Sequence, residues 1–451
     1  MKSAEQFQQK KILILGLAKS GEAAARLLLR LGAEIVVNDA KPYDENEQAK
    51  QLEREGVSVV CGEHPLSLLD EGFELIVKNP GIPYTNPIIQ AAQARGIEVV
   101  TEIELAYALS EAEIIAISGS NGKTTTTTLV YEMLQGGART PLIAGNIGTV
   151  ACEVAEQASA DDVLVLEVSS FQLQGTTSFK PKVSVLLNLF DAHLDYHGTK
   201  EAYVQAKAKI TANQTEEDLF VYNADDPLVA AVAATSTARL LPFSLKRELP
   251  EGVSCQNQVI SYRGETIIHT DEIVLPGAHN IENILAAIGA ALSMGAQREQ
   301  VVKVLTSFSG VAHRLEFVRE VNGRRFYNDS KATNILASQK ALEAFEQPII
   351  LLAGGLDRGN EFDELIPSLK NVRTLITFGE TKHKLAKTAK AAGIETVLFA
   401  EWVEDAVKKA YQQSEENDVI LLSPACASWD QYKTFEERGS RFAEAVMALH
   451  G

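Results

Sequence analysis

A chain of 451 residues exceeds the size at which a single hydrophobic core stops growing, so it is expected to divide into several domains, three by our reading. Hydrophobic residues make up 45% and charged residues 23%, an ordinary globular balance that excludes a disordered chain. The formal net charge of -18, with no basic block, excludes a nucleic-acid surface, although anionic nucleotides can still bind where positive groups are concentrated locally.

The opening MKSAEQFQQKK is polar, unlike a secretory leader, and no stretch is long and apolar enough to span a membrane. Cys61, Cys152, Cys255 and Cys426 form no close pair that reads as a metal or redox motif, so a reduced, cytoplasmic setting is expected.

In chain order, KILILGLAKSGEAAARLLLRLGAEIVVND reads as strand, helix and a second strand ending in Asp39. VSVVCG, FELIVKNPGIP and IEVVTEIE continue the alternation, so residues 1–104 are expected to form a Rossmann-like, doubly wound domain. A second α/β series over 105–311 runs through EIIAIS, DVLVLEVSS and KVSVLLNLF, whose apolar runs suit buried parallel strands. Residues 250–276 alternate like short antiparallel strands, which predicts a parallel sheet accompanied by a small antiparallel one. The third series, over 312–451, contains FYNDS, PIILLAGG, TLITFG, TVLFAE and DVILLSP and predicts a second Rossmann-like sheet. The fold class is therefore α/β throughout.

Between EIIAIS and the helix that follows lies a loop of Gly119, Ser120, Asn121, Gly122, Lys123, Thr124 and Thr125. Its N–H groups and the helix N-terminus can face phosphate, Lys123 can reach the terminal phosphates and Thr124 can offer a hydroxyl to Mg2+. The match is a shortened G-x-x-G-K-T, because Ile117 stands where the longer spacing asks for glycine. An ordinary glycine turn with a surface lysine is the alternative. Glu167 ends the next apolar strand, where ligands gather in open α/β sheets and an unpaired carboxylate is costly. A carboxylate capping a neighbouring helix is the plainer account of it. His193 and Asp195 follow the strand after that.

Early in the third series stand His313, Arg314, Asp329 and Lys331, either a charged hinge or a clamp with Arg314 on phosphate and Asp329 on a ribose hydroxyl. In the first series GLAKSG falls short of a dinucleotide fingerprint, so Asp39 suits either a ribose or base contact or a simple turn. Single motifs would also admit a nucleotide-switch NTPase, an NAD-dependent oxidoreductase or a non-catalytic nucleotide-binding module. A switch protein has no need of the further α/β series, and an oxidoreductase has none of GKT followed by Glu167 and His193.

Together, GLAKSG, NPGIP, GSNGKTT, GNIG, LEVSSFQL, HLDYHG, YVQAKAKI, the HN pair at 279–280, HRLE, NDSKATN and LLSPACASWDQYKTFEERG resemble the Mur ligases, ATP-dependent amide-forming enzymes of bacterial peptidoglycan assembly. NDSKATN and the last segment look like the branch that adds D-glutamate to UDP-N-acetylmuramoyl-L-alanine. The resemblance implies a UDP-sugar domain, a central ATPase of P-loop type and a C-terminal domain contributing to ATP and D-glutamate binding. It implies ATP, two Mg2+ ions, these small-molecule substrates, no nucleic-acid or membrane partner, and a monomer.

By the same resemblance, Lys123 contacts the γ-phosphate, Thr124 and Glu167 hold one Mg2+, and His193 a second. Lys207 matches a lysine carbamylated by CO2; by its own sequence position it reads as an exposed helix lysine, with Lys209 nearby. Asn280, Asn283, Arg314 and Asp329 match nucleotide contacts, and Asn146 a substrate contact. Lys331, Thr333, Arg358, Ser428 and Phe435 match the D-glutamate pocket. Ser20, Asp39, Asn79, Pro80 and Gly81, with Lys19 and Lys41 beside them, match the UDP side.

Overall fold

The computed structural model describes residues 2–190, 193–275 and 277–449, and the side chains of Asp195, Ala278 and His279 lie outside that description. It divides into two compact units, Met1–Thr270 with Ile281–Val304, and Asp271–Asn280 with Leu305–Gly451. No described helix is long and apolar enough to cross a membrane.

The first unit holds two sheets. Strands β1 (Lys11–Leu15), β2 (Glu34–Asp39), β3 (Ser58–Cys61), β4 (Leu75–Lys78) and β5 (Glu98–Val100) form a parallel sheet in the order β3-β2-β1-β4-β5. The chain winds outward in both directions from β1, which opens a crevice between the carboxyl ends of β1 and β4.

The second sheet contains β6 (Glu113–Ser118), β7 (Thr140–Gly145), β8 (Asp162–Glu167), β9 (Val183–Leu186), β10 (Leu219–Asn223), β11 (Arg239–Ser244), β12 (Val253–Gln256), β13 (Val259–Tyr262) and β14 (Glu265–His269). Its order is β14-β13-β12-β11-β10-β9-β6-β8-β7. Ile114, Ile115, Ala116 and Ile117 are buried, as are Val163, Leu164, Val165 and Leu166, as expected of strands covered on both faces. The antiparallel strands differ from expectation in one respect: they continue this sheet instead of forming their own. β12 pairs parallel to β11 through Phe243 with Val253 and Ser244 with Ser254, and only then does the chain double back. Asn257 and Gln258, then Arg263 and Gly264, all have positive φ, which suits the tight turns whose twist matches the flanking strands.

The two sheets share one hydrophobic core. Ile12, Ile14, Leu27 and Leu28 of the first pack in the same cluster as Ile103, Ala106, Ala151, Cys152, Ala155 and Leu166.

In the second unit, β15 (Glu316–Val321) runs antiparallel to β16 (Arg324–Asn328) through a turn at Asn322 and Gly323. β17 (Ile349–Gly354), β18 (Val372–Phe378), β19 (Thr396–Phe399) and β20 (Val419–Leu422) complete the order β15-β16-β20-β17-β18-β19. Apolar clusters on its two faces, one around Leu351 and Leu421 and one around Ile350 and Ile420, make it a covered α/β sheet with an antiparallel edge.

Candidate functional site

β6 is flanked by β9 and β8, so the carboxyl end of β6 is the point from which the second sheet winds both ways. The loop at 119–122 sits there and leads into the helix Lys123–Met133, whose first N–H groups have no partner within the helix. Gly122 caps it with φ 83, and a Cβ there would come 2.0 Å from Asn283 Oδ1, so both conformation and space demand glycine. A Cβ on Gly119 would meet Leu187 Cβ at 2.9 Å. Asn188 braces the loop, its carbonyl accepting from Ser120 N and its Oδ1 from Asn121 N, both at 2.9 Å. Ser120 Oγ also meets Tyr203 Oη at 2.8 Å.

Lys123 folds back over this loop and donates to the carbonyls of Gly119 and Ser120 at 2.9 and 3.0 Å. Thr124 and Thr125 are buried in the first helical turn. Glu167, at the end of β8, is 2% exposed. Its Oε1 accepts from Asn146 Nδ2 at 2.7 Å, while its buried Oε2 has no hydrogen-bond partner among the described residues. Asn146, matched to a substrate contact, also orients this carboxylate.

Lys207 overturns what its position in the sequence suggests. It is 2% exposed, its Nζ donates to Gly119 O at 2.8 Å and to Ser118 Oγ at 3.2 Å, and it lies over the Tyr203 ring. Burial, reinforced by the Lys123 charge, holds its amine well below the usual lysine range, and Glu167 opposes that only in part. Lys209 points elsewhere, to the carbonyls of Gln174 and Thr176. His193 stands exposed at the start of the short helix Leu194–His197, its ring edge-on to Phe171. Asn283 is buried beside Gly122, and Asn280, on the same helix Ala278–Ser293, is buried as well.

No group of three His, Cys, Asp or Glu side chains gathers among the described residues. A divalent cation nevertheless fits the donor set. Glu167 brings an unpartnered, hard carboxylate oxygen, Thr124 a hydroxyl on the phosphate loop, and a carbamate on Lys207 would add oxygen ligands where an ammonium adds none.

In the first sheet, Asp39 spends both carboxylate oxygens on backbone, accepting from Leu17 N at 2.6 Å and Lys41 N at 2.8 Å. It thereby fixes the turn after β1. Asn79 Nδ2 donates to Ser20 Oγ at 2.9 Å and its Oδ1 accepts from Gly81 N at 3.0 Å, so Ser20, Asn79, Pro80 and Gly81 line one side of the crevice. Lys78, which sequence reasoning missed, is buried beneath them.

In the second unit, Asp329 is buried against Ser423, whose hydroxyl donates to its Oδ2 at 2.9 Å, and Leu315 N donates to its Oδ1 at 3.2 Å. Burial pushes its carboxyl up to about 7 although the Arg314 charge pulls the other way. Arg314 Nε and Ser428 Oγ are buried without hydrogen-bond partners among the described residues. Thr333 and Arg358 line one cavity of ≈ 450 Å³ with Leu356 and Cys426, and Arg358 lies over the Trp429 ring. Lys331 lies over the Phe435 ring at 5.7 Å. Sequence reasoning missed Arg438, fully buried, which donates to Ser330 Oγ and to the carbonyls of Ser330, Gly354 and Cys426. It ties together the three segments that carry Lys331, Arg358 and Ser428.

Three family models match the chain: a MurD-like N-terminal domain of Mur ligases over residues 10–101, the Mur ligase middle domain over 117–291, and the Mur ligase glutamate ligase domain over 313–426. Curated relatives named UDP-N-acetylmuramoylalanine--D-glutamate ligase are 62% identical over 449 residues in Halalkalibacterium halodurans and 60% identical over 450 in Geobacillus kaustophilus, covering 100% of both chains in each case. Among solved structures, the UDP-N-acetylmuramate-alanine ligase of Thermotoga maritima aligns with TM-score 0.56 at 20% identity over 97% of this chain and 99% of its own. The MurF ligase of the same organism, solved in complex with ADP, aligns with TM-score 0.56 at 18% identity over 99% of this chain and 97% of its own. By its full-length relatives, and by three domain models that together match most of its length, this chain belongs to the Mur ligase family.

Proposed function

We propose that this protein is an ATP-dependent ligase that joins D-glutamate to UDP-N-acetylmuramoyl-L-alanine through an acyl phosphate, in cytoplasmic synthesis of the peptidoglycan precursor, and that it acts as a monomer. The observation that carries the reading is the pair formed by the orphaned Glu167 oxygen and the buried Lys207 amine beside a phosphate loop, in a chain whose 62%-identical relative bears that activity in its name. We divide the chain at 104/105 and 311/312, giving the UDP-sugar, ATPase and C-terminal domains their own stretches.

A carboxylate is a poor electrophile until one oxygen becomes a leaving group. The substrate carboxylate attacks the γ-phosphorus of ATP; an O–P bond forms, the bond to the β-bridging oxygen breaks, and ADP leaves. The D-glutamate amine then attacks the acyl carbon, phosphate departs, and the nitrogen loses a proton to give the amide. Lys123 swings from its own loop to the γ-phosphate, and the N–H groups at 119–124 hold the phosphates. Lys207 stays neutral, adds CO2 with loss of one proton, and becomes a carbamate. Thr124, Glu167, the Lys207 carbamate and His193 would hold two Mg2+ ions, which neutralise charge on the transferring phosphoryl group. Asn280, Asn283, Arg314 and Asp329 hold the nucleotide. Lys331, Thr333, Arg358, Ser428 and Phe435 receive D-glutamate, where cations and hydroxyls suit two carboxylates. Ser20, Asp39, Asn79, Pro80 and Gly81 receive the UDP moiety, and Asn146 contacts the substrate while its amide would keep Glu167 aimed at a bound cation.

The test supplies ATP, Mg2+, UDP-N-acetylmuramoyl-L-alanine and single amino acids while phosphate release and amide product are measured together. Both are expected in equal amounts, and only with D-glutamate. Phosphate release indifferent to the substrates, or equal turnover with L-glutamate or L-lysine, overturns the reading.

A further inference from the structure

Lys78 is the last residue of β4 and is 1% exposed. Its Nζ donates to the carbonyl oxygens of Ile82 at 2.8 Å, Pro80 at 3.2 Å and Asn79 at 3.3 Å, and to Tyr196 Oη at 3.2 Å. It also lies over the rings of Tyr84 and Tyr196, at 4.9 and 5.9 Å. Among the described residues, every hydrogen-bond partner of this cation is neutral. An ammonium buried without a counter-charge is costly, and its cost falls when an anion enters nearby.

The turn that Lys78 grips is one wall of the crevice between β1 and β4. Ile82 N closes it onto Asn79 O at 3.0 Å, Asn79 N is anchored on Leu15 O at 2.7 Å, and the Asn79 side chain reaches Gly81 N and Ser20 Oγ. Ser20 lies in the first turn of the helix Lys19–Arg30, the end of a helix that favours negative charge. Carbonyls gathered on the buried side leave Asn79, Gly81 and Ser20 to face the crevice. Tyr196 Oη meets the same carbonyls as Lys78, Pro80 O and Ile82 O, at 3.0 Å each, and Tyr196 belongs to the short helix that His193 begins.

We propose that Lys78 is a positioning residue for the anionic nucleotide-sugar: its ammonium sets the turn at 79–82 for the ligand and, through Tyr196, ties that turn to the segment carrying His193. The inference rests on assigning the first sheet to the UDP moiety. Burial supports it by pushing Lys78 down to about 7, while the Tyr84 and Tyr196 hydroxyls that face it are pushed up and carry no charge there. An anion in the crevice favours the charged ammonium, so binding above pH 7 draws in a proton.

The experiment titrates UDP-N-acetylmuramoyl-L-alanine into the full chain at pH 8, calorimetrically, in two buffers of different ionisation enthalpy, with steady-state kinetics alongside. For the unmodified chain, proton uptake is expected. Lys78→Met is expected to abolish that uptake, weaken binding about tenfold and raise the KM for this substrate while the KM for ATP holds; Tyr196→Phe should weaken binding about threefold and keep the uptake. A Lys78→Met variant that binds with unchanged affinity and uptake overturns the proposal, as does a lowered Tm with both KM values unmoved. If Lys78→Met does not fold, absence of proton uptake by the unmodified chain, or unaltered affinity in Tyr196→Phe, overturns it equally. A chain that turns over this substrate yet gives these negative results sinks only the Lys78 inference, whereas a chain that neither binds nor turns it over sinks the functional reading.

Discussion

Lys123 and Lys207 donate to the same acceptor, the carbonyl oxygen of Gly119, at 2.9 and 2.8 Å. Two ammonium groups on one carbonyl repel each other, and the buried one yields its proton first. A neutral lysine is the form that combines with CO2. Lys207→Ala is therefore expected to cut kcat by at least about 10²-fold, and native mass spectrometry should find the parent protein, but not the alanine variant, heavier by one CO2. Full activity in the alanine variant removes the carbamate from the mechanism.

Glu167→Gln keeps the shape and the contact with Asn146 but discards the charge. Because the orphaned oxygen is what suits a hard cation, kcat is expected to fall about 10²- to 10³-fold, with the Mg2+ concentration for half-maximal rate moving upward. Rate measured against Mg2+ concentration decides it; an unchanged Mg2+ dependence would place the cation elsewhere.

At Gly122 an added methyl meets Asn283 Oδ1 at 2.0 Å on a backbone with φ 83. Gly122→Ala should lose ATP affinity and stability together. Adding Asn283→Ala relieves the collision but not the backbone, so a residual penalty of about 1–2 kcal/mol in denaturant unfolding is expected.

Asp329 holds its proton up to about pH 7 in the folded chain and releases it near 3.8 in the unfolded one. The stability this confers is complete below about 3.8 and is lost as pH rises through about 7. Asp329→Asn does not titrate, so the Tm of the variant minus that of the parent should grow across this window and level off above it. A difference that is flat with pH contradicts the burial argument.

Arg438→Leu removes the donors that satisfy Ser330 Oγ and three carbonyls. A loss of about 3 kcal/mol or more is expected, read as a lower urea midpoint at unchanged slope. Folded enzyme should show a raised KM for D-glutamate.

The elements legible in the sequence were those defined by local pattern. Apolar runs such as EIIAIS and DVILLSP became buried strands, whereas the hairpin at Asn322 and Gly323, which adds an antiparallel edge to a series expected to form a parallel sheet, went unread. The phosphate loop and Glu167 could be located because both end such runs. Lys207 was reached only through the family resemblance: nothing in the pattern of KEAYVQAKA sets it apart, since its burial comes from Ser118 and Gly119, distant in the chain. Arg438 lies among Glu436, Glu437 and Arg441, which reads as a solvated helix face, and only long-range partners turn it inward. Asp39 was visible as an acid after the second strand, but not its double grip on Leu17 and Lys41.

The core shared by the first two sheets bears on how the chain is born. The helix Lys19–Arg30 leaves the ribosome long before Ala151, Cys152 and Ala155, the residues that cover part of its apolar side. Until they emerge, that side is open to solvent and to other nascent chains. During synthesis the opening stretch therefore presents uncovered apolar surface, and a fragment ended near residue 104, which keeps that surface, is expected to aggregate.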